Sequence, residues 1–461
     1  MKKKIAIIGA GTYGSYLANA LTEKFSDVEV HLFEVGDQNT KSEAEIGFVS
    51  KLKKGLYRAT SDGRFFGLGG TSAKWGGQLL FFSNKDFSNP NGMKTVIESN
   101  ITYRSKVLSR FFKQPPILTE NDFGSGMFRK QGVWLKFSQR NLFNHFNLSK
   151  NKQVIIHSNV RVVKLNKVEG KIHSIAIQES HNESTIFEAD VFYLTSGAFE
   201  SLRLMHVSEL IDMAEVSKGF SDHVSLRAFE IETTQTKIGS QDFQFRFENG
   251  SMITSRLIGE MDNVSYYIHP VFNEKFIFFQ FLKRLIFKGD FSSKVLFSAA
   301  SQAFAIFPFV YSYFFLKKLY VYKSWFLNID IELSKSENSV VLSNEQDIYK
   351  QNGVELEYSI SEDSLYKLKK IKESIAKILK ENKIDFIELE DNDASSLKLE
   401  DTYHPYRLFS SDENKDITEL YNPYVNLFVF NTGLLQRSGG INPTAALFCF
   451  IEHHIETTYP I

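Results

Sequence analysis

The stretch KIAIIGAGTYGSYLANALTEKFSDVEVHLFEVGD near the N-terminus leaves few folds open. An apolar run meets a glycine turn, continues into a helix of small and apolar residues, and ends in a second apolar run closed by an acid. Gly9, Gly11 and Gly14 form G-x-G-x-x-G. In that motif the first glycine makes the tight turn, the second lets backbone approach a pyrophosphate, and the third lets the helix pack closely on the sheet. The N–H groups at the helix start then face the phosphates. Glu34 lies 20 positions beyond Gly14, where a carboxylate can bind both hydroxyls of an adenosine ribose. The pattern predicts a βαβ dinucleotide-binding unit and does not separate FAD from NAD.

A chain of 461 residues is too long for one core and predicts two or three domains. Formal net charge is zero, so no basic field recommends nucleic acid as a partner. A single cysteine, Cys449, excludes an internal disulfide framework and fits a reducing cytoplasm. Set in AALFCFIEHH, it reads as a packed core thiol. The opening MKKKIAIIGAG imitates a signal peptide, but its apolar run of about five residues is shorter than the roughly 7–15 of a signal core, and it reads as a strand.

A second glycine cluster, GLGGTSAKWGGQ (residues 67–78), spends five of twelve positions on the residue that is costliest to order. Such a run suits backbone pressed against a ligand longer than a nicotinamide nucleotide. The stretch resembles the second signature of the glucose–methanol–choline (GMC) oxidoreductases, whose G-G-[ST]-[ST] turn lines pyrophosphate and isoalloxazine. Three further stretches resemble the family in its own order: VIIHSNVRVVKLNKVEGKIHSIAI, VFYLTSGAFESLRLM and GFSDHVSL. A last one, VNLFVFNTGLLQRSGGINPTAALFCFIEHH, is similar to the C-terminal signature without a gap from Asn426 to Thr444. The resemblance covers residues 1–80, 154–225 and 400–461. It implies an FAD site formed by Gly9, Gly11, Gly14, Glu34, Gly69, Gly70, Thr71, Ser72, Trp75, Gly76, Val160, Gly197, Asn431 and Thr444.

Oxidising an alcohol requires the hydroxyl proton to be removed while hydride leaves carbon for the flavin, and the protein orients substrate and handles that proton. Histidine is the usual base, and a second hydrogen-bonding group steadies the developing alkoxide. The resemblance places His404, in DTYHPYRLF, as the base, and Asn442, in GGINPT, as its companion. His453 and His454 fall in the last helix as packed or solvated residues, and Asp222–His223 as a structural pair. Two departures stand out. The family's H-P-x-G-T becomes H-P-Y-R-L, so Arg407 replaces a glycine, where it binds an acidic substrate group or covers a reshaped loop. The usual C-terminal aspartate is Asn431. Lys74 occupies the position at which some family members join a histidine covalently to flavin; lysine lacks the ring nitrogen, which implies noncovalent FAD.

The expected fold is α/β: a Rossmann-like FAD-binding domain, discontinuous over 1–90, 151–225 and 401–461, with a substrate domain over 91–150 and 226–400 built on an antiparallel sheet covered by helices. Alternating residues in SLRAFEIETT predict strands, Asn352–Gly353 predicts a turn, and EDSLYKLKKIKESIAKILKEN predicts an amphipathic helix. No metal spacing is evident. From Val295 to Leu316, 22 residues carry no charge. A span there would separate two flanks that must meet one cofactor. The segment therefore predicts a buried helical pair broken near Pro308, ahead of a hydrophobic lid or membrane-surface patch and of a true span. The aromatic, basic stretch within 271–322 can lie at a lipid interface. The sequence thus predicts a cytoplasmic flavoenzyme, with peripheral contact to the inner face of the membrane through that stretch. It would oxidise a small-molecule alcohol, a sugar or polyol, with an electron acceptor that the motifs leave open. Two alternatives stand beside this one: a reductase or isomerase acting on an apolar or lipid-linked substrate, and a flavin-binding protein without turnover.

Overall fold

The computed structural model describes residues 2–179, 183–232, 246–272, 292–293, 297, 300, 306–316, 324–333, 338–389 and 399–458. The N-terminal motif folds as expected into strand β1 (Lys3–Ile8), helix α1 (Thr12–Lys24) and strand β2 (Val28–Glu34). Helix α2 (Lys94–Phe111) and strand β3 (Met127–Trp134) precede β4 (Val154–Ser158), β5 (Val191–Leu194) and helix α3 (Ala198–Val207). Four long strands follow: β6 (His223–Glu232), β7 (Ser251–Met261), β8 (Val264–Phe272) and β9 (Ser324–Glu332). Helix α4 (Glu362–Glu381), strand β10 (Leu427–Val429) and helix α5 (Thr444–Thr457) complete the frame.

The first sheet is parallel throughout, in the order β10-β5-β1-β2-β4. Its strands are apolar on both faces because both are covered, one by helices and the other by a three-stranded antiparallel sheet whose Phe187 packs on Phe33, and Ile5, Ala6 and Ile7 are fully buried. The second sheet runs antiparallel, β6-β9-β8-β7-β3, with Phe386–Glu388 at one edge and Gln78–Leu79 at the other. Gln78 pairs with Trp134, so the glycine-rich stretch at 67–78 leaves the parallel layer and enters the antiparallel one. Fold class and both sheet types match the expectation.

Helix α5 packs on α1 and α2 through Tyr16, whose ring stacks on Phe448 at 4.2 Å. The Tyr16 hydroxyl donates to Glu452 at 2.7 Å, and Arg110 and Lys106 reach the same carboxylate at 2.5 and 3.0 Å. That fully buried acid is tolerated because every neighbour is a donor. Cys449 is buried in the same helix, as expected. His454 is packed, its Nε2 3.0 Å from the Tyr193 hydroxyl, and burial pushes its pKa down to about 3.

Two expectations change. Asn352–Gly353 opens strand Asn352–Tyr358 instead of forming the turn, which is made by the residues before it, with Lys350 at φ +57°. A Cβ on Gly353 would stand 1.6 Å from the Val49 carbonyl oxygen, so this glycine serves close backbone approach. In the uncharged segment, Ile306–Tyr311 is helical and includes Pro308, while residues 301–305, on which the expected helical break also turns, lie outside the described residues. Burial is not observed at its described positions: Phe307 is 71% and Phe315 74% exposed. Most of residues 273–305 lie outside the described residues. Among the described residues no helix is long and apolar enough to cross a membrane.

Gly353→Ala is expected to lower stability by about 2–4 kcal/mol, in the range of backbone strain and overpacking. Asn352→Ala should cost only about 1 kcal/mol, the worth of its hydrogen bond to the Ser343 carbonyl. Urea unfolding midpoints compare the two. Equal losses would place the turn back on Asn352–Gly353.

Candidate active site

A single cavity of about 660 Å³ brings the N-terminal motif, the 67–78 stretch and the C-terminal segments together. That volume suits a cofactor-sized ligand, for which roughly 300–1,000 Å³ is usual. Three helix N-termini open onto it. Gly11 precedes α1, Gly197 precedes α3 and Pro443 precedes α5, and none supplies a side-chain cap. Uncapped N-termini carry positive potential and unpaired N–H groups, so their convergence favours an anionic, oxygen-rich ligand. A Cβ at Gly11 or Gly197 would meet nothing within 4 Å, leaving backbone free to be approached there. Gly9, Glu34, Gly70, Thr71, Trp75, Gly76, Val160, Gly197 and Thr444 also line the cavity. These features fit a bound FAD.

Four expected residues stand off the cavity wall. A Cβ on Gly14 would sit 1.9 Å from the Gly9 carbonyl oxygen, which fits its expected packing role. Gly69 faces the Asn141 side chain, and its N–H donates to the Ala10 carbonyl at 2.9 Å. The Ser72 hydroxyl donates to the Gly69 carbonyl at 2.5 Å and accepts from the Leu142 N–H at 3.1 Å, so it serves the turn and not a ligand. Asn431 caps the Thr432–Leu434 turn by accepting from the Gly433 N–H at 2.9 Å; Thr432 lines the cavity instead.

Glu34 is on the wall, but its oxygens are already engaged. It accepts from the N–H groups of Ala10 (2.9 Å), Gly36 (3.1 Å) and Gly67 (2.9 Å), and burial raises its pKa. The expected ribose partner is therefore first a fastener of three loops. Trp75 presents its ring to the cavity while its Nε1 donates to the Arg140 carbonyl at 2.9 Å. Lys74 lines the same wall and is exposed.

His404 and Asn442 meet in this cavity. The Nδ1 of His404 is buried without a partner, which leaves Nε2 as the nitrogen open to the cavity. Burial, with His223 and Arg256 nearby, pushes its pKa down to about 3, so the ring is neutral and able to accept a proton at pH 7. Oδ1 of Asn442 is also buried without a partner. The His404 turn is held by Asp222, which accepts from the His404 N–H (3.1 Å), the Thr402 hydroxyl (2.7 Å), the His223 N–H (2.7 Å) and the Tyr57 hydroxyl (2.9 Å). Burial raises the Asp222 pKa to about 7 against these donors. Ligand atoms of Asp222, His223 and His404 lie within 4.8 Å of one another, but those of Asp222 are taken, and Nε2 of His223 faces the Gly439 carbonyl at 2.5 Å. The set is a hydrogen-bond network that fixes the turn.

Arg407 resolves the other departure. It stands at φ +57°, a left-handed conformation that the glycine it replaces would adopt without steric cost. Its guanidinium is buried against the Gln436 carbonyl (3.2 Å) and 3.7 Å from Glu413, off the cavity. It covers the reshaped loop. Sequence reading missed Gln78, Trp134, Thr432 and Arg256 on the wall. Only Arg256 carried a signal, as the one cation, and a charge in mid-strand, in SMITSRLIGEM.

Neither a family model nor a curated protein sequence matches the chain. Among solved structures it is similar to pyridoxine 4-oxidase from Mesorbium loti, with a TM-score of 0.60 over 99% of both chains and 14% identity. The chain has the fold of that oxidase. It is the fold that the GMC resemblance implies, and at this identity the likeness is one of fold.

Glu34→Ala strands three backbone N–H groups and is expected to lower stability by about 2–5 kcal/mol, given about 1–3 kcal/mol for each buried donor left unpaired. It should also weaken flavin retention. Thermal unfolding and the flavin-to-protein absorbance ratio measure both. Unchanged stability would remove its role as a fastener.

Proposed function

We propose that the protein is a GMC-type flavoprotein that holds FAD noncovalently and oxidises the CH–OH group of a small alcohol, a sugar or polyol. The observation that supports this most is one cavity shared by three uncapped helix N-termini and a neutral histidine paired with an asparagine. FAD supplies the hydride acceptor when bound. Gly9, Gly11 and the start of α1 would hold its phosphates, and Thr432, Asn442 and Thr444 at the α5 end would face its ring system.

The chain's own part is positional and acid–base. Nε2 of His404 takes the hydroxyl proton of the substrate, and the Asn442 side chain shares the same oxygen and orients it. Trp75 closes one wall. The positive end of α5 favours negative charge forming on that side of the site. A base of pKa about 3 is weak in the empty cavity, but an anion beside it would raise that value by favouring the imidazolium. Lys74 stands where a linking histidine would be, and its ammonium cannot form that bond.

A second reading, an apolar or lipid-linked alcohol taken from a membrane surface, is favoured by the exposed rings of Phe307, Tyr311, Phe314 and Phe315. Under either reading the protein works in the cytoplasm, the second with peripheral contact to the membrane.

The purified protein should be yellow and should release its flavin on acid or heat denaturation; flavin remaining with the precipitate would show a covalent link. Anaerobic bleaching by an alcohol library tests the reaction. Sugars or polyols should bleach the flavin, lipid alcohols would favour the second reading, and no bleaching at all would sink both.

His404→Ala should keep FAD but slow flavin reduction by about 10²–10⁴-fold, the usual worth of a positioned base. Asn442→Ala should slow it less. Because the His404 pKa lies below its ordinary value, the proton-accepting form persists as pH falls. With a neutral alcohol as substrate, which puts no anion beside the ring before reaction, stopped-flow reduction should therefore stay level from pH 8 to about 5. A half-maximum near 6.5, the ordinary imidazole value, would place His404 in solvent or reassign the base.

A further inference from the structure

Arg256 lies on β7 and is 8% exposed, yet it lines the same cavity as His404. Its position is built and not incidental. Its Nη2 donates to Oε1 of Gln78, whose Nε2 donates to the Thr254 hydroxyl at 2.8 Å. The Trp134 indole donates to that same hydroxyl at 2.9 Å, so a buried chain of polar groups holds Gln78 and hence the guanidinium. The guanidinium also lies over the Tyr267 ring, 4.4 Å from its centroid. Its Nη1 is buried with no partner.

Charge balance around it is incomplete. Among the described residues no carboxylate forms an ion pair with Arg256. Neither nearby acid pairs directly with Arg256: Asp330 lies 3.4 Å from His269, with the Tyr267 hydroxyl between it and Arg256, and Glu332 pairs with Arg437 at 2.7 Å. A buried cation with an unpaired donor is costly unless an anion completes it. The planar fork of arginine matches a carboxylate in two parallel hydrogen bonds, a fit that neutral hydroxyls do not reproduce.

We propose that Arg256 forms an anion subsite for the substrate, so that the alcohol oxidised beside His404 carries a carboxylate, as a sugar acid of the uronate or aldonate type does. This rests on the alcohol oxidation proposed above and narrows its substrate class. Gln78 acts as a positioning residue that keeps the guanidinium aimed at the cavity. The acidic-substrate role that the sequence suggested for Arg407 falls to Arg256.

The test uses FAD-loaded protein and reads binding from perturbation of the visible flavin bands under anaerobic conditions, separately from bleaching. Galacturonate against galactose, and gluconate against glucitol, are the probes. Each acid should bind the wild type about 10–100-fold more tightly than its neutral counterpart, the range for a charge-assisted hydrogen bond. Arg256→Met should abolish that difference while leaving the neutral probes within about threefold, and Arg256→Lys should restore part of it.

Equal binding of acid and neutral probes by the wild type overturns the subsite, whether or not Arg256→Met folds. Loss of FAD from a folded Arg256→Met protein also overturns it, by assigning the guanidinium to the cofactor. Acid-selective binding without bleaching would uphold the subsite and refute the alcohol chemistry. Bleaching without acid preference would do the reverse.

Discussion

The carboxylate of Glu34 is the constraint on which the cavity depends. It ends β2 and receives N–H groups from the first glycine turn at Ala10, from its own strand end at Gly36, and from the second glycine cluster at Gly67. Three loops distant in sequence are thereby tied at one buried point. Close backbone approach makes the tie possible: a Cβ on Gly36 would stand 2.7 Å from Gly67 N, and one on Gly70 would stand 2.8 Å from the Gly11 Cα. The glycines at 67–78 thus serve two ends. Some are thin so that loops can touch, and others leave backbone open to a ligand.

From that tie the chain runs through Trp75 and Gly76 into the edge of the antiparallel sheet at Gln78. One wall of the cavity therefore belongs to the parallel layer, with its helix ends, and the other to the antiparallel layer, with its buried polar chain. The two walls differ electrostatically. Uncapped helix N-termini offer diffuse positive potential suited to phosphates and to charge developing on a ring. Arg256 offers a localised, directional fork. A cofactor and a substrate can be sorted between them by charge geometry alone.

The candidate base, His404, sits in a turn bounded by left-handed residues. Tyr403 at φ +63° and Arg407 at φ +57° flank the His404–Pro405 turn, and neither is glycine. Such conformations persist only where surrounding contacts over-determine them. Here Asp222 supplies that hold through four donors, two of them backbone N–H groups from His404 and its own neighbour His223. The pair read from sequence as structural supports the candidate base without touching the cavity.

The local pattern alone determined the βαβ unit, the parallel sheet, the α4 helix and the glycine turns, because these depend on periodicity and on backbone freedom written into neighbouring residues. It also placed His404 and Asn442, through ordered motifs, in segments that do meet. What it could not carry were relations between distant residues. Glu34 reads only as a ribose ligand until Gly67 is seen folded against it and its second task, fastening three loops, is visible. Ser72 reads as a cofactor contact until its hydroxyl is found engaged by its own turn, and Asn431 until its Oδ1 is found capping the Thr432–Leu434 turn. Gly353 reads as a turn until Val49 is seen pressing on it. Arg256 is the one cation in a mostly apolar strand, and only the pairing of β7 with β3 and β8 decides that its partners are Gln78 and Tyr267 and that its last donor has none. Hydrogen-bond satisfaction in a buried place is a property of the whole fold, so the tertiary structure alone could show which polar groups were spent on architecture and which remained for a ligand.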